Sequence, residues 1–233
     1  MGLNIAIIPA RAGSKRLPGK NSKLLAGKPL IKWTIDAALE SNCFDRVYVS
    51  TDSAELAEIA INAGVEVPYM RPEHLATDEA TTNDVVTHLV EWVEANIAPV
   101  AQVAILQPTS PLRTAKHIKN ALALYQQKQA SAVISVCELE HPYQYCNKLD
   151  ASLSLDGFIC PENIKRAQEL ERYYRLNGAI YLFKRNLVGK LSELYNANSF
   201  AYIMSSRESL DIDEELDFHF ANFLLHQHAK QMC

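Results

Sequence analysis

Apolar and polar positions along the chain follow two rhythms that take turns. Short apolar runs at residues 5–8, 45–50, 103–106 and 132–136 have the length and β-branched content of buried strands. Between them lie stretches with apolar residues three and four apart. These are 29–39 with Ile31, Ile35 and Ala38 or Leu39, 54–63 with Leu56, Ile59, Ala60 and Ala63, 83–94 with Val86, Leu89, Val90 and Val93, and 115–125. Gly64, just beyond the second stretch, is the residue that a helix end favours. Strand and helix signals in alternation predict an α/β fold, a doubly wound and mostly parallel sheet with helices on both faces.

The rhythm breaks over residues 137–175, where aromatics (Tyr143, Tyr145, Phe158, Tyr173, Tyr174) and scattered charges show no period. An excursion of that length should have a role of its own, as a substrate lid or a subunit contact. Regularity resumes at 178–183 and 200–204, and a last helix over 214–226 should bury Leu216, Phe220, Phe223 and Leu224. Without repeats or linkers, the economical reading is one domain over residues 1–233 with an embedded excursion at 137–175.

Composition narrows this picture modestly. With 48% apolar and 21% charged residues, 233 residues can bury a full core. A formal charge of −4 and no basic stripe with stacking aromatics argue against a nucleic-acid partner. No apolar run reaches the roughly 20 residues of a membrane span, and the N-terminus runs straight into a strand without the features of a signal peptide. The five cysteines (Cys43, Cys137, Cys146, Cys160, Cys233) show no Cys-x-x-Cys spacing and read as reduced thiols of a cytoplasmic protein. The seven histidines are dispersed, and none is assigned to a metal.

Candidate chemistry begins where the first strand ends. Pro9-Ala10-Arg11-Ala12-Gly13-Ser14-Lys15-Arg16-Leu17-Pro18-Gly19-Lys20-Asn21 places four cations and two glycines on a loop, in a chain that is acidic overall. Such a loop suits a polyphosphate, with Arg11 and Lys20 making charge-assisted contacts and the glycines allowing close approach. It is not a Walker A loop, because Gly13 and Gly19 are one residue too far apart and Asn21 stands where a magnesium-holding hydroxyl would be. A solvated basic loop is the plainer alternative. The carboxyl end of a first strand, where open α/β sheets bind ligands, favours the phosphate.

Three further segments qualify. Asp211-Ile212-Asp213 would put two carboxylates on one side of an extended segment, fit for a hard cation such as Mg2+; equally, Asp213 could cap the helix that follows. Gln107-Pro108-Thr109-Ser110-Pro111-Leu112-Arg113 leaves a buried strand, and Gln107 could read a base edge, although a plain strand-to-helix turn also explains the prolines. Arg175-Leu176-Asn177-Gly178-Ala179-Ile180-Tyr181 could hold a sugar carboxylate and hydroxyls, or Tyr181 could be a core tyrosine.

Together with Val49-Ser50-Thr51-Asp52, Arg71-Pro72, Leu75-Ala76 and Asp78, these segments resemble, in order and over almost the whole chain, the cytidylyltransferases that activate nine-carbon acidic sugars, chiefly the CMP-N-acetylneuraminate synthetases. The resemblance implies a nucleotide-diphospho-sugar transferase-like fold, a homodimer and Mg2+. It also implies transfer of CMP from CTP to the anomeric hydroxyl of the sugar, with loss of pyrophosphate. Carried onto this sequence, Arg11, Ser14, Lys20, Asn21, Thr82 and Gln107 would bind CTP, with Arg11 and Lys20 stabilising the departing pyrophosphate. Gln107, Arg166, Gln168 and Tyr181 would meet the sugar. Asp211 and Asp213 would carry Mg2+, and Asp211, or a water on the metal, would take the proton. The excursion would pair with its copy in the other subunit.

Two departures from the family pattern lie toward the sugar end. Gln144 stands where many members have a lysine, and Ala167 rather than arginine precedes Gln168, with Arg166 one place earlier. They leave the nucleotide chemistry intact and open the acceptor to legionaminate as well as N-acetylneuraminate. Arg175-Leu176-Asn177-Gly178 weighs against pseudaminate. Rival readings are activation of the eight-carbon sugar KDO, a metal-dependent glycosyltransferase and a non-catalytic sugar-nucleotide sensor.

Overall fold

The computed structural model describes residues 2–231. The first strand, β1 (Leu3–Pro9), serves two cores with its alternating side chains: Ala6 and Ile8 face one way, Ile5 and Ile7 the other, all without solvent contact. After β1 the loop closes on a two-stranded ribbon, β2 (Leu24–Leu25) with β3 (Lys28–Pro29), and leads into α1 (Leu30–Ser41). Then follow β4 (Arg46–Ser50), α2 (Ala54–Asn62), α3 (Thr82–Asn96), β5 (Val100–Ile105), α4 (Ala115–Lys128) and β6 (Ala132–Glu138). The chain ends with β7 (Tyr174–Lys184), β8 (Ser199–Met204) and α5 (Glu215–Gln231).

The main sheet has the order β4-β1-β5-β7-β6-β8. α1, α2 and α4 cover one face through Ile31, Ile35, Leu56, Ala60, Ile118 and Ala121, and α3 covers the other through Val86, Leu89, Val90 and Val93. The sheet is therefore doubly wound. Replacing Ile35, fully buried between α1 and the sheet, with alanine should cost about 2–5 kcal/mol of stability, read from urea denaturation.

Three of the five strand pairings in the main sheet are parallel, as expected; β7 runs antiparallel to both β5 and β6, so the sheet is mixed. The cause is the excursion, which leaves the end of β6 and returns beside it: Glu138 pairs with Tyr174 and Cys137 with Arg175, leaving residues 139–173 as an arm with only three short 3₁₀ turns. Adjacent strands joined at neighbouring ends can only be antiparallel. One expectation, for α5, needs correction. Leu216, Phe220 and Phe223 are exposed, whereas Phe218, Ala221 and Leu224 are buried. Apolar residues occur on all sides of this helix, and the stripe that packs is the one facing Leu17, Leu25, Leu30 and Ile212.

That small third core has a functional consequence. It clamps the loop after β1 to the segment before α5, nearly 200 residues later in the chain, and so brings the cationic loop and Asp211-Ile212-Asp213 together. Cys43, Cys137, Cys146 and Cys160 are free thiols, while Cys233 lies outside the described residues. Among the described residues no helix is long and apolar enough to cross a membrane.

Candidate active site

The strand order changes direction at β1, and the loops leaving β1 and β5 open a cleft at their carboxyl ends. The loop after β1 is held from beneath: Ala12 N–H donates to Asp52 Oδ1 (2.8 Å) and Asn21 Nδ2 to the Arg11 carbonyl (3.2 Å). Gly19 takes the left-handed conformation (φ 66°) that lets the chain turn back toward α1. Inside the loop is a cavity of about 370 Å³ lined by Arg11, Gly13, Ser14, Lys15, Arg16, Lys20, Asn21 and Asp213.

A second cavity of about 360 Å³ shares Arg11 and Asp213 with the first. Its wall includes Arg71, Thr82 at the N-terminus of α3, Gln107, Thr109 and Asp211. Alternation along the extended segment sends Ile212 into the third core and leaves both Asp211 and Asp213 lining this cleft. Ile212 N–H fixes the segment to the Thr109 carbonyl (2.9 Å).

The loop cations already have partners. Arg11 pairs with Asp78 (2.8 Å) and Lys15 with the same carboxylate (2.5 Å), holding Asp78 below the usual carboxylate range. Arg16 and Lys20 reach Asp213 at 3.0 and 3.4 Å, and Lys20 Nζ also donates to the Ile212 carbonyl (2.5 Å). Asp213 therefore faces the loop. The free N–H groups of Asp213 and Glu214 are taken instead by Asp217 Oδ2, both at 2.9 Å.

Asp211 is different. Burial raises its carboxyl, the charges of Asp213 and Asp217 add to the effect, and Thr109 and Lys20 only partly offset it. Its Oδ1 is buried without a hydrogen-bond partner. A buried, unpartnered carboxylate oxygen beside a second carboxylate fits a cation. No cluster of three or more His, Cys, Asp or Glu among the described residues would hold one unaided. Mg2+ binds in this way, through one or two carboxylates with waters and substrate phosphates completing its shell.

The cytidylyltransferase family model matches residues 5–217. The chain belongs to this family. The CMP-N,N'-diacetyllegionaminic acid synthase of Legionella pneumophila is 38% identical over 221 residues, 92% of each chain. The N-acylneuraminate cytidylyltransferase of Streptococcus agalactiae serotype III is 39% identical over 92% of this chain, which spans only about half (51%) of that enzyme's length. The structure of CMP:2-keto-3-deoxy-manno-octonic acid synthetase complexed with CTP superposes with a TM-score of 0.70, over 97% of this chain and 99% of the other, at 19% identity. That likeness establishes the shared fold.

In this cytidylyltransferase the fold gathers Arg11, Ser14, Lys20, Asn21, Thr82, Gln107, Asp211 and Asp213 around the two joined cavities. Tyr181, on β7 beside Ile105, is half-buried, and burial together with the nearby Tyr195 and Asp211 raises its phenol. Arg166 and Gln168 are not brought in: both are exposed on the arm, and neither side chain makes a hydrogen bond among the described residues. Arg71 joins the site as a buried cation whose guanidinium donates to Ser50 Oγ (3.1 Å) and to the Ser50 carbonyl. Sequence spacing gave no reason to single it out beyond the Arg-Pro pair.

Beneath Gln107 lie two features that only the structure shows. Gly178 (φ 74°) has no Cβ, and one would sit 2.5 Å from Gln107 Oε1, so the glycine makes room for that amide. Arg113 is fully buried and donates to the carbonyls of Gln107 (3.1 Å) and Ala179 (3.4 Å). With no acidic partner, burial lowers its guanidinium to about 9.

Proposed function

We propose that this cytidylyltransferase transfers CMP from CTP to the anomeric hydroxyl of a nine-carbon acidic sugar, N-acetylneuraminate first, releasing pyrophosphate. The observation that carries this reading is the pair of cavities meeting at Arg11 and Asp213, one lined by the loop cations, the other walled by Thr82, Gln107 and the buried Asp211. The triphosphate belongs in the first cavity under Arg11, Ser14, Lys20 and Asn21, and the cytidine in the second against Thr82, Gln107 and Arg71. Displacement at a phosphoryl group demands mainly positioning and neutralisation of charge, which these side chains supply. Asp211 and Asp213 would hold Mg2+, which when bound neutralises charge on the phosphoryl oxygens. Asp211, or a water on the metal it would hold, would accept the proton of the sugar hydroxyl.

A second acceptor, legionaminate, is favoured by the match to the Legionella enzyme over nearly the full length of both chains, and by Gln144 and Ala167 at the sugar end. Pyrophosphate release from CTP and Mg2+ with a panel of N-acetylneuraminate, legionaminate, pseudaminate and KDO decides the matter. One nine-carbon acid should exceed the rest clearly in kcat/KM. Release with KDO alone would overturn the reading, and no release with any acid would leave the sensor.

The protein should also work as a homodimer in a reducing compartment. The arm exposes Leu149, Leu153, Leu155 and Ile164, and the adjoining sheet surface exposes Leu176 and Ile203. Exposed apolar side chains in such number suit an interface. Sedimentation should show a dimer, and the double substitution Leu153→Glu, Leu155→Glu should shift it to monomer; a wild type that is monomeric and fully active would refute the assignment. In such a dimer Arg166 and Gln168 would reach a sugar in the cleft of the partner copy rather than their own.

A further inference from the structure

Opposite Ser135 of β6, strand β7 carries surplus chain. Ile134 pairs with Tyr181 and Val136 with Leu176, so residues 177–180 bulge out against a single residue. Bulges of this kind re-aim side chains and are frequent beside active sites. The bulge is filled by polar side chains sealed from water: Asn177 is 2% exposed, and Ser135 and Ser209 not at all.

The bonds inside it leave the Asn177 amide one orientation. Asn177 Oδ1 accepts from Ser135 Oγ (2.6 Å) and from the Ala179 N–H (3.2 Å), and Ser135 Oγ in turn accepts from the Ile180 N–H (2.7 Å). Nδ2 must then point the other way, where it donates to Ser209 Oγ (2.9 Å). Ser209 passes its own proton on to the Ser205 carbonyl (2.7 Å). Chains of hydrogen bonds in a dry interior reinforce one another, and breaking one leaves buried groups unsatisfied.

Ser209 lies two residues before Asp211, whose carboxyl is steadied by Thr109 while its Oδ1 has no hydrogen-bond partner among the described residues. The segment that carries it is held from both flanks as well. On one flank Ile212 is pinned to Thr109 and to the third core. On the other stands the bond from Asn177.

We infer that Asn177 is a positioning residue: through Ser209 it holds the Asp211–Asp213 segment at the spacing from Gln107 and Arg11 that a metal-bound triphosphate requires. The inference rests on the proposed role of Asp211 and Asp213 as the cation-binding carboxylates. Asn177 itself touches neither cavity. The same bulge carries Gly178 beneath Gln107, so one short piece of β7 sets the positions of both walls of the cleft.

Asn177→Ala, Ser209→Ala and the double variant test this, with Mn2+ as probe in the presence of CTP and binding followed by water-proton relaxation. Each single variant should weaken Mn2+ binding on the order of 10-fold, the lower end of the cost of losing a group that orients a metal ligand. The double variant should weaken it little further, because the Asn177–Ser209 bond, lost in either single variant, is the one that ties β7 to the Asp211 segment. The Mg2+ concentration for half-maximal pyrophosphate release should rise in parallel, with CTP affinity in the absence of metal unchanged. Variants that lose urea stability but bind Mn2+ like the wild type, or whose effects add in the double variant, would overturn the inference. Should Asn177→Ala fail to fold, Ser209→Ala decides alone, and wild-type Mn2+ affinity in it counts against the proposal. A wild type that binds no Mn2+ with CTP and releases no pyrophosphate would instead bring down the functional reading, and this inference with it.

Discussion

Arg11→Ala is expected to lower kcat for CMP transfer by on the order of 10²–10³, the range seen when one donor to developing transition-state charge is removed. Arg11 lines both cavities, and its guanidinium is held by Asp78 and the Thr77 carbonyl. On the proposed reading, charge would grow beside it as pyrophosphate departs. The substitution should not unfold the protein, since Arg11 is partly exposed and its pairing with Asp78 is a solvent-exposed one that contributes little to stability. The KM for the acidic sugar should change little. A variant with normal kcat and a raised sugar KM would reassign the loop from triphosphate to sugar carboxylate.

The second large effect belongs to the carboxylate pair. Asp213→Asn should cut turnover at least about 10- to 100-fold, because losing a ligand is no milder than losing a group that merely orients one. Raising Mg2+ should recover part of the loss, since the buried Asp211 remains. The fold should survive, because Asp213 is exposed and the N–H groups at the start of α5 are satisfied by Asp217 instead. Unchanged turnover with unchanged Mg2+ dependence would reduce Asp213 to a counter-ion for Arg16 and Lys20.

Much of this architecture is legible in the sequence because its signals are local. The stripe Val86, Leu89, Val90, Val93 is buried as its spacing requires, and Gly64 ends α2 with a positive φ. What the chain does not disclose is decided by contacts distant in sequence. The direction of β7 depends on where the arm returns, and α5, apolar on several sides, acquires a buried face only when Leu17, Leu25 and Ile212 select one. The site divides in the same way. Loop chemistry and the Asp-x-Asp spacing mark Arg11, Lys20, Asp211 and Asp213, but Arg71 and Asp78 stand only in the family pattern with no role attached, and are recruited by the folding of β4 and α3 around the cleft. Arg166 and Gln168 were expected beside the sugar on the strength of resemblance, yet they sit on an arm that the single chain leaves facing solvent.

The buried Arg113 divides the electrostatics of the cleft into two parts with different responses to ionic strength. Arg11, Lys15 and Arg16 stand in contact with solvent, and their pull on a polyanion fades as added salt shortens the Debye length below about 8 Å. Arg113 has no counter-ion among the described residues and almost no exposed surface, so mobile ions cannot gather around its charge, which acts on the cleft through the backbone of Gln107. A salt titration of nucleotide affinity should accordingly fall and then level off, and the plateau is the portion of the field that the fold has placed beyond the reach of the solution.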